Sequence, residues 1–186
     1  MNEIMSPYWL WESELPKPIC EYIIKFAESN KYESGKAGFK EHLDGKRDTD
    51  IQFHSLRWIN AMLFGYIQLA NATNFDYDIV YDREDMQISK YSEGQFYDRH
   101  TDFAPDRNCI GFTRKLSMSV QLSNEDSYEG GDLILYLPPK DEVYIVPKKQ
   151  GTIVVFDSRF VHEVTPVKSG KRFSLVKWAH GFTGLR

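Results

Sequence analysis

The second half of this chain is a succession of short apolar segments separated by turn residues. Eight segments of β type follow one another after residue 77: Asp85–Tyr91, Phe96–His100, Lys115–Leu122, Asp132–Leu137, Val143–Val146, Thr152–Phe156, Val161–Thr165 and Arg172–Gly181. Turn residues stand between them, among them Gly130-Gly131, Pro138-Pro139 and Ser169-Gly170. Eight short strands without intervening helices predict a sandwich, a barrel or a jelly roll.

Two amphipathic segments precede these strands. The first begins near Pro18, a favourable residue at a helix start, and its apolar positions recur at helical spacing: Ile19, Ile23, Phe26 and Ala27. The second begins at Ser55 and has one apolar face: Leu56, Ile59, Leu63, Ile67 and Ala70. The stretch between them, Gly35–Asp50, is rich in Gly, Lys and Asp, so we expect a surface loop there. It is either an ordinary connection or the border of a substrate groove.

Helices that come first and strands that follow predict a mainly β (α+β) fold, with the helices on the outer face of one sheet. The chain has 186 residues, 41% of them apolar, which suits one domain whose core needs no disulfides. We expect this domain to span residues 1–186, with residues 1–76 as helical support and residues 77–186 as the strand-rich core.

The composition also limits the classes of function. A net charge of −4 gives little support to general nucleic-acid binding, and no apolar run approaches the length of a membrane span. Cys20 and Cys109 lack CxxC spacing, which favours a reducing compartment, and the N-terminus does not resemble a signal peptide. We therefore expect a cytoplasmic protein without membrane or nucleic-acid partners. The sequence does not indicate an oligomeric state.

The motif with most chemical content is His100-Thr101-Asp102, followed sixty residues later by His162. On an extended strand, residues i and i+2 point to the same face, so His100 and Asp102 can bind one ion together. Two imidazoles and one carboxylate are the ligand set of non-haem Fe(II) oxygenases, which leaves metal positions open. The HxD pattern also occurs by chance in many proteins, so it needs support from its surroundings.

Three surrounding features give that support. The apolar strand that ends at Asp157 leads directly to His162, which places His162 at the mouth of the same sheet. Arg172 follows ten residues later, and after a turn over residues 166–170 it would face inward from a neighbouring strand. A buried arginine needs an anion, and its planar fork matches a carboxylate. Tyr91 and Tyr97 lie just before the HxD motif, where their hydroxyls could hydrogen-bond a cosubstrate.

Taken in order, these motifs resemble the prolyl 4-hydroxylase-like branch of the Fe(II)/2-oxoglutarate dioxygenases. The resemblance covers roughly residues 77–182 and is strongest to compact microbial and phage PKHD-type hydroxylases. The residues that carry it are His100-Thr-Asp102, Glu129-Gly-Gly-Asp-Leu133, His162-Glu-Val-Thr-Pro-Val167 and Arg172-Phe-Ser174. The family fold is a double-stranded β-helix, or jelly roll. If the chain is viral, the resemblance places the protein in the host cytoplasm.

The resemblance implies a role for each site residue. His100, Asp102 and His162 would bind Fe(II), and Arg172 would pair with the distal carboxylate of 2-oxoglutarate. Ser174 and Tyr91 would add hydrogen bonds. Oxygen-sensing prolyl hydroxylases use a further Tyr for this carboxylate. Here either Gln121 or Ser119 stands near that position, and collagen-type enzymes carry Lys in place of Arg172. O₂ is the second cosubstrate, and ascorbate is a candidate reductant.

The resemblance therefore predicts hydroxylation of an unactivated C–H bond, with release of succinate and CO₂, and with a peptidyl proline of a protein or peptide as the favoured target. Asp102 supports hydroxylation, because related halogenases lack this carboxylate. One alternative keeps the chemistry but takes a free amino acid, a small metabolite or an alkylated nucleobase. Trp178 stands where nucleic-acid repair relatives carry a second Arg, which counts against the nucleobase. The non-enzymatic alternative is a jelly-roll metal-binding or interaction domain.

Several further residues carry weaker expectations. We expect a structural role for His180, surface or capping roles for His42 and His54, and an incidental placement for Cys109. Trp178 is either a core aromatic or a wall of the cosubstrate pocket. Arg99 should point away from the metal ligands into a salt bridge, whereas Arg159 could reach the substrate.

Overall fold

Strands dominate the regular structure of residues 6–34, 46–80, 84–104 and 111–184, which the computed structural model describes. The helices are α1 (Lys17–Glu28) and α2 (Arg57–Ala70), and a π-helical turn (Asn71–Phe75) continues α2. The strands are β1 (Tyr8–Trp11), β2 (Glu33–Ser34), β3 (Arg47–Asp48), β4 (Asp50–His54), β5 (Met86–Tyr91), β6 (Phe96–His100), β7 (Phe112–Gln121), β8 (Tyr128–Gly130), β9 (Leu133–Leu137), β10 (Glu142–Ile145), β11 (Ile153–Asp157), β12 (Val161–Val164), β13 (Val167–Gly170) and β14 (Arg172–Phe182). Neither helix is long and apolar enough to span a membrane, among the residues described.

Two antiparallel sheets form the body of the fold. Within the described ranges, the larger sheet has seven strands in the order β1-β11-β7-β14-β5-β4-β2. The smaller has five, in the order β10-β9-β12-β6-β3. Strands β8 and β13 pair separately as a two-stranded ribbon. This arrangement of facing sheets is the predicted jelly roll.

The apolar residues form two layers, one on each side of the larger sheet. One layer packs α1 and α2 against the outer face of that sheet, through residues such as Ile23, Leu63 and Leu175. The other lies between the two sheets and includes Leu135 and Phe156. The helices therefore cover the outer face of one sheet, as predicted, and leave the space between the sheets for the site.

Both helices form where the apolar spacing predicts them. In α1 the buried positions are Cys20, Ile23 and Ala27, and in α2 they are Ile59, Leu63, Ile67 and Ala70. These positions fall on one face of a helix with 3.6 residues per turn. The side chain of Asn30 donates to the Phe26 carbonyl at 2.7 Å, which satisfies one of the free carbonyls at the end of α1.

We expect Leu63→Ala to lower the free energy of unfolding by about 2–5 kcal/mol, because it opens a cavity under the sheet. Leu63 is fully buried, whereas Leu69 on the same helix is 54% exposed. Leu69→Ala is thus the matched control, with an expected change within about 0.5 kcal/mol. Urea unfolding followed by circular dichroism measures both. Equal losses in the two variants would contradict the packing of α2 on the sheet.

All eight predicted strands are present, but several interpretations of the connecting segments were wrong. The first part of the chain is not only helical, because β1 to β4 join both large sheets. The predicted loop over Gly35–Asp50 holds β3 and the start of β4 in its described part, 46–50. The predicted turn over residues 166–170 contains β13, which pairs with β8. These strands are short, so they leave little periodicity to detect.

Candidate active site

A cavity of about 330 Å³ lies between the two large sheets. Its walls follow from the alternation of side chains along the strands. On β14, Arg172, Ser174 and Trp178 line the cavity, whereas Phe173 and Leu175 between them belong to the core under the helices. Strand β14 therefore presents Arg172, Ser174 and Trp178 to the inner face of the larger sheet, and Phe173 and Leu175 to the helices.

His100, Asp102 and His162 converge on one side of this cavity. His100 ends β6, and His162 lies opposite it in the antiparallel register of β6 and β12. The His100 Nε2 atom is 3.8 Å from Asp102 Oδ1, and His162 Nε2 is 3.5 Å from Asp102 Oδ2. One ligand atom from each residue lies within 4.8 Å of the other two, so the three residues can bind a single ion.

Backbone carbonyls orient both imidazoles. His100 Nδ1 lies 2.7 Å from the Asp98 carbonyl oxygen, and His162 Nδ1 lies 3.0 Å from that of Phe160. A carbonyl oxygen only accepts, so each Nδ1 carries the proton and donates it. Each Nε2 is left with a lone pair directed at the cluster, which is the arrangement that metal-binding histidines use.

The charge states of the cluster also suit a cation. Burial, together with the neighbouring His162, lowers the pKa of the His100 imidazole to about 3. Burial acts to raise the pKa of the Asp102 carboxyl, but His162, His100 and Arg114 outweigh it and hold that pKa at about 2. At neutral pH the carboxylate is therefore ionised and His100 is neutral, as metal ligands must be. Two imidazole nitrogens and one carboxylate fit ferrous iron.

Arg172 is buried in the same cavity without an anionic partner among the described residues. Its side chain is only 1% exposed. Nη1 donates to Ser174 Oγ at 3.1 Å, Nη2 donates to Gln121 Oε1 at 3.0 Å, and Nε has no hydrogen-bond partner within the described ranges. The ring of Tyr91 lies 5.3 Å from the guanidinium carbon. Because all these partners are neutral, the site is suited to an anion.

The structure thus brings the six predicted site residues to one cavity. His100, Asp102 and His162 form the cation cluster, while Tyr91 and Ser174 stand beside Arg172. Of the two open candidates on β7, Gln121 contacts Arg172, and Ser119 lines the cavity.

Sequence reasoning missed further cavity residues. Arg114 stacks on Trp178 with its guanidinium carbon 3.8 Å from the ring centroid, and it binds Glu84 through two hydrogen bonds of 2.8 Å. Arg47 lies over the Tyr97 ring at 4.5 Å. A register shift between β7 and β14 brings Arg114 opposite His180, and a sequence pattern does not report such a shift. Arg47 lies on a two-residue strand that has no periodic signal.

The structure also gives the positions of Arg99, Arg159 and Trp178, three residues outside the predicted site. Arg99 points outward, 4.0 Å from Glu163, which confirms its predicted salt bridge. Arg159 is held by Asp157 and Tyr77 and is not among the described residues that line the cavity. Trp178 is a cavity wall beside Asp102, to which its indole N–H donates at 2.9 Å.

The remaining histidines lie apart from the cation cluster. His180 is buried 3.6 Å from the Glu84 carboxylate, and His54 lies 2.9 Å from Gln52 Oε1 and packs on Phe26. The position of His180 agrees with its predicted structural role, whereas His54 is half-buried against Phe26 rather than on the surface. His42 and Cys109 lie outside the described residues.

Curated relatives match about half of this chain. A PKHD-type hydroxylase of Crocosphaera subtropica is 37% identical over 95 residues, which are 51% of this chain and 42% of that protein. A PKHD-type hydroxylase of Maricaulis maris is 34% identical over 91 residues, 49% of this chain and 39% of that protein. The matched region spans less than half the length of these curated relatives.

Solved structures resemble the chain over nearly its whole length. A prolyl-4-hydroxylase of Pseudomonas putida matches with a TM-score of 0.73 and 21% identity, covering 96% of this chain and 95% of that one. A prolyl hydroxylase of Trichoplax adhaerens, in complex with a hypoxia inducible factor peptide fragment, matches with a TM-score of 0.74 and 20% identity, covering 94% and 84%. These likenesses confirm the jelly-roll fold. The family profile described as "2OG-Fe(II) oxygenase superfamily" matches residues 86–180, and the chain therefore belongs to that superfamily.

Proposed function

We propose that this protein is an Fe(II)- and 2-oxoglutarate-dependent dioxygenase that hydroxylates a peptidyl proline and releases succinate and CO₂. The observation that carries the proposal is the pairing of two complementary sites in one cavity. A cluster of three metal-type ligands and a buried arginine without an anionic partner both face it. A dicarboxylate cosubstrate and a ferrous ion together supply what these two sites lack.

Each cluster residue has a defined task in this proposal. His100, Asp102 and His162 would hold the iron, through Nε2 of each imidazole and one oxygen of the carboxylate. The bound iron supplies the redox chemistry, by which O₂ and 2-oxoglutarate are converted into an oxidant for the C–H bond. The carbonyls of Asp98 and Phe160 hold the imidazole tautomers that keep Nε2 free for the metal.

Arg172 would bind the distal carboxylate of 2-oxoglutarate. Its guanidinium is already fixed by Ser174 and Gln121, so little side-chain freedom is lost when the carboxylate binds. Burial excludes water and strengthens the ion pair. Tyr91, opposite Arg172 in the register of β5 and β14, closes this end of the cavity.

The lining of the cavity supports a proline target. Tyr97 stacks on His100 with ring centroids 3.5 Å apart, and Trp178 contacts Asp102. Both aromatic side chains line the cavity beside the metal ligands, where they can pack against an apolar pyrrolidine ring. Two of the structurally similar proteins are prolyl hydroxylases, which agrees with this target class.

A second candidate keeps the chemistry but takes a free amino acid. Arg47 lines the cavity, and its buried Nε and Nη2 atoms have no hydrogen-bond partner in the described part of the chain. An amino acid's own carboxylate would satisfy these donors. A peptide bond at the same place offers only a neutral carbonyl.

The decisive experiment follows 2-oxoglutarate turnover with Fe(II) and ascorbate, first alone and then with substrates. We expect succinate formation to rise with proline-containing peptides, and mass spectrometry to show a gain of one oxygen on proline. Oxygen gained only by free amino acids would replace the peptide proposal with the second candidate. If the protein neither binds 2-oxoglutarate nor forms succinate, the enzymatic proposal is wrong and a binding domain remains.

Gly131 should support 2-oxoglutarate binding by leaving room for Arg172, although it lies on a loop. Its φ is +59°, and an added Cβ would lie 2.9 Å from Arg172 Cδ. We expect Gly131→Ala to displace Arg172 and weaken 2-oxoglutarate binding about tenfold, a loss of about 1.4 kcal/mol. Calorimetric titration measures this. Gly94→Ala is the matched control, since Gly94 also has positive φ (+82°) but nothing within 4 Å. Equal weakening in both variants would contradict the argument.

A further inference from the structure

One oxygen of the Asp102 carboxylate is occupied by two protein donors. Ser117 Oγ donates to Asp102 Oδ2 at 2.8 Å, and the Trp178 indole N–H donates to the same oxygen at 2.9 Å. Ser117 is fully buried, and Trp178 is nearly so. Two hydrogen bonds use the two lone-pair directions of Oδ2. Oδ1 is thus the oxygen that keeps free lone pairs for a cation.

A second serine extends this contact away from the cavity. Ser158 Oγ lies 2.9 Å from Ser117 Oγ, and both side chains are fully buried. Because Ser117 gives its proton to the carboxylate, it must accept from Ser158. The hydrogen bonds therefore run from Ser158 to Ser117 to Asp102. The amide of Ser158 also donates to the Lys115 carbonyl at 3.0 Å, which fixes Ser158 against β7.

The short loop that carries Ser158 also holds the His162 ligand. Phe160, two residues further on, accepts the Nδ1 proton of His162 at its carbonyl, and its amide donates to the Asp157 carbonyl at 2.9 Å. One loop between β11 and β12 therefore contacts His162 directly and is linked to Asp102 through Ser117 of β7. The contact with His162 is made by the Phe160 carbonyl, and the link to Asp102 runs from the Ser158 hydroxyl to the Ser117 hydroxyl.

We propose that Ser117 and Ser158 are positioning residues that fix Asp102 with Oδ1 alone toward the metal and that couple its orientation to that of His162. This inference rests on the proposed function, in which the cluster binds iron. A carboxylate held by one oxygen leaves more of the metal open to the cosubstrate and O₂. Without the serines, Trp178 is the one donor to Oδ2 that remains among the described residues, so Asp102 can rotate more easily and present both oxygens, and the metal loses an open position.

Titration with Co(II) alone tests this without any turnover. We expect Ser117→Ala to weaken Co(II) binding about tenfold, in the range that outer-shell changes produce, and to alter the visible Co(II) spectrum. Ser158→Ala should give a smaller change of the same kind. Because Ser158 acts through Ser117, the double variant should match Ser117→Ala alone. Additive effects, or an unchanged spectrum in Ser117→Ala, would overturn the proposal.

Two comparisons separate this proposal from simpler explanations. Ser123→Ala removes another buried serine, whose hydroxyl donates to the backbone carbonyl of Lys171, just before β14. It should lower thermal stability but leave the Co(II) spectrum unchanged, whereas an altered spectrum would show that any buried serine has this effect. If Ser117→Ala does not fold, the Co(II) spectrum and affinity of Ser158→Ala still test the proposal. A wild-type protein that fails to bind Co(II) would refute the proposed function instead.

Discussion

Arg172→Met is expected to abolish saturable 2-oxoglutarate binding while Co(II) binding at the histidine cluster persists. Truncating one partner of a buried, hydrogen-bonded charge pair costs about 2–5 kcal/mol, so the affinity should fall by at least about 30-fold. Two other arginines among the described residues line the cavity. Arg114 is engaged by Glu84, and Arg47 stands over Tyr97, which stacks on His100, rather than beside Ser174 and Gln121, where the carboxylate would bind. Calorimetric titration of the Co(II)-loaded protein with 2-oxoglutarate gives the affinity directly.

A second variant and a control make this result specific. Gln121→Glu would place a carboxylate where the Gln121 oxygen now accepts from Arg172 at 3.0 Å. That internal anion should neutralise Arg172 and weaken cosubstrate binding while the arginine remains. Lys171→Met removes a neighbouring, exposed cation and should change nothing. Wild-type affinity in both Arg172→Met and Gln121→Glu would show that the carboxylate binds elsewhere.

The parts of this site that follow from strand geometry could be predicted from the sequence. An i, i+2 pair on one strand must share a face, which places His100 beside Asp102. The same rule places Arg172 and Ser174 together on β14 and sends Phe173 to the opposite core. His162 needed one further assumption, that its strand lies next to β6, and the register of β6 and β12 agrees with it.

Other contacts depend on cross-strand neighbours and could not be predicted in this way. Ser117 lies opposite Trp178 in the register of β7 and β14. Both side chains donate hydrogen bonds to Asp102, which lies on the loop after β6. No spacing in the sequence encodes that meeting. On β4 the polar Gln52 is buried because it donates to carbonyls at the end of α1, while Phe53 is 51% exposed. This inversion of the usual alternation hides the strand from a hydrophobicity pattern.

The loop that supports the metal ligands depends on a buried carboxylate, that of Asp157, so its stability depends on pH. The loop that carries Ser158 and Phe160 begins at Asp157, which binds Arg159 and Tyr77. Burial acts to raise the pKa of Asp157, but hydrogen bonds from Arg159 and Tyr77 outweigh it and lower that pKa. This carboxylate therefore stabilises the loop above its unfolded pKa, and the stabilisation is lost as pH falls through the folded one. Binding measurements belong near neutral pH, where the loop is intact.

His162→Ala is expected to remove both Co(II) binding and succinate formation. The variant deletes one of three metal-type ligands, so the Co(II) affinity should fall by more than the roughly 10–100-fold that outer-shell changes cause. Melting curves provide a readout independent of turnover. Co(II) at about 100 times its dissociation constant should stabilise the wild-type protein by about 2.7 kcal/mol, and should leave the melting temperature of His162→Ala unchanged.

His54→Ala is the matched control for this prediction. His54 is partly buried against Phe26 and Gln52, and it is not among the described residues that line the cavity. Its replacement should lower stability slightly and leave the Co(II)-induced shift in melting temperature intact. A Co(II) shift that survives in His162→Ala but disappears in His54→Ala would mean that the metal binds outside the cluster. Survival in both variants would exclude His162 as a ligand, because the two remaining donors, His100 and Asp102, should not hold the ion as tightly as all three.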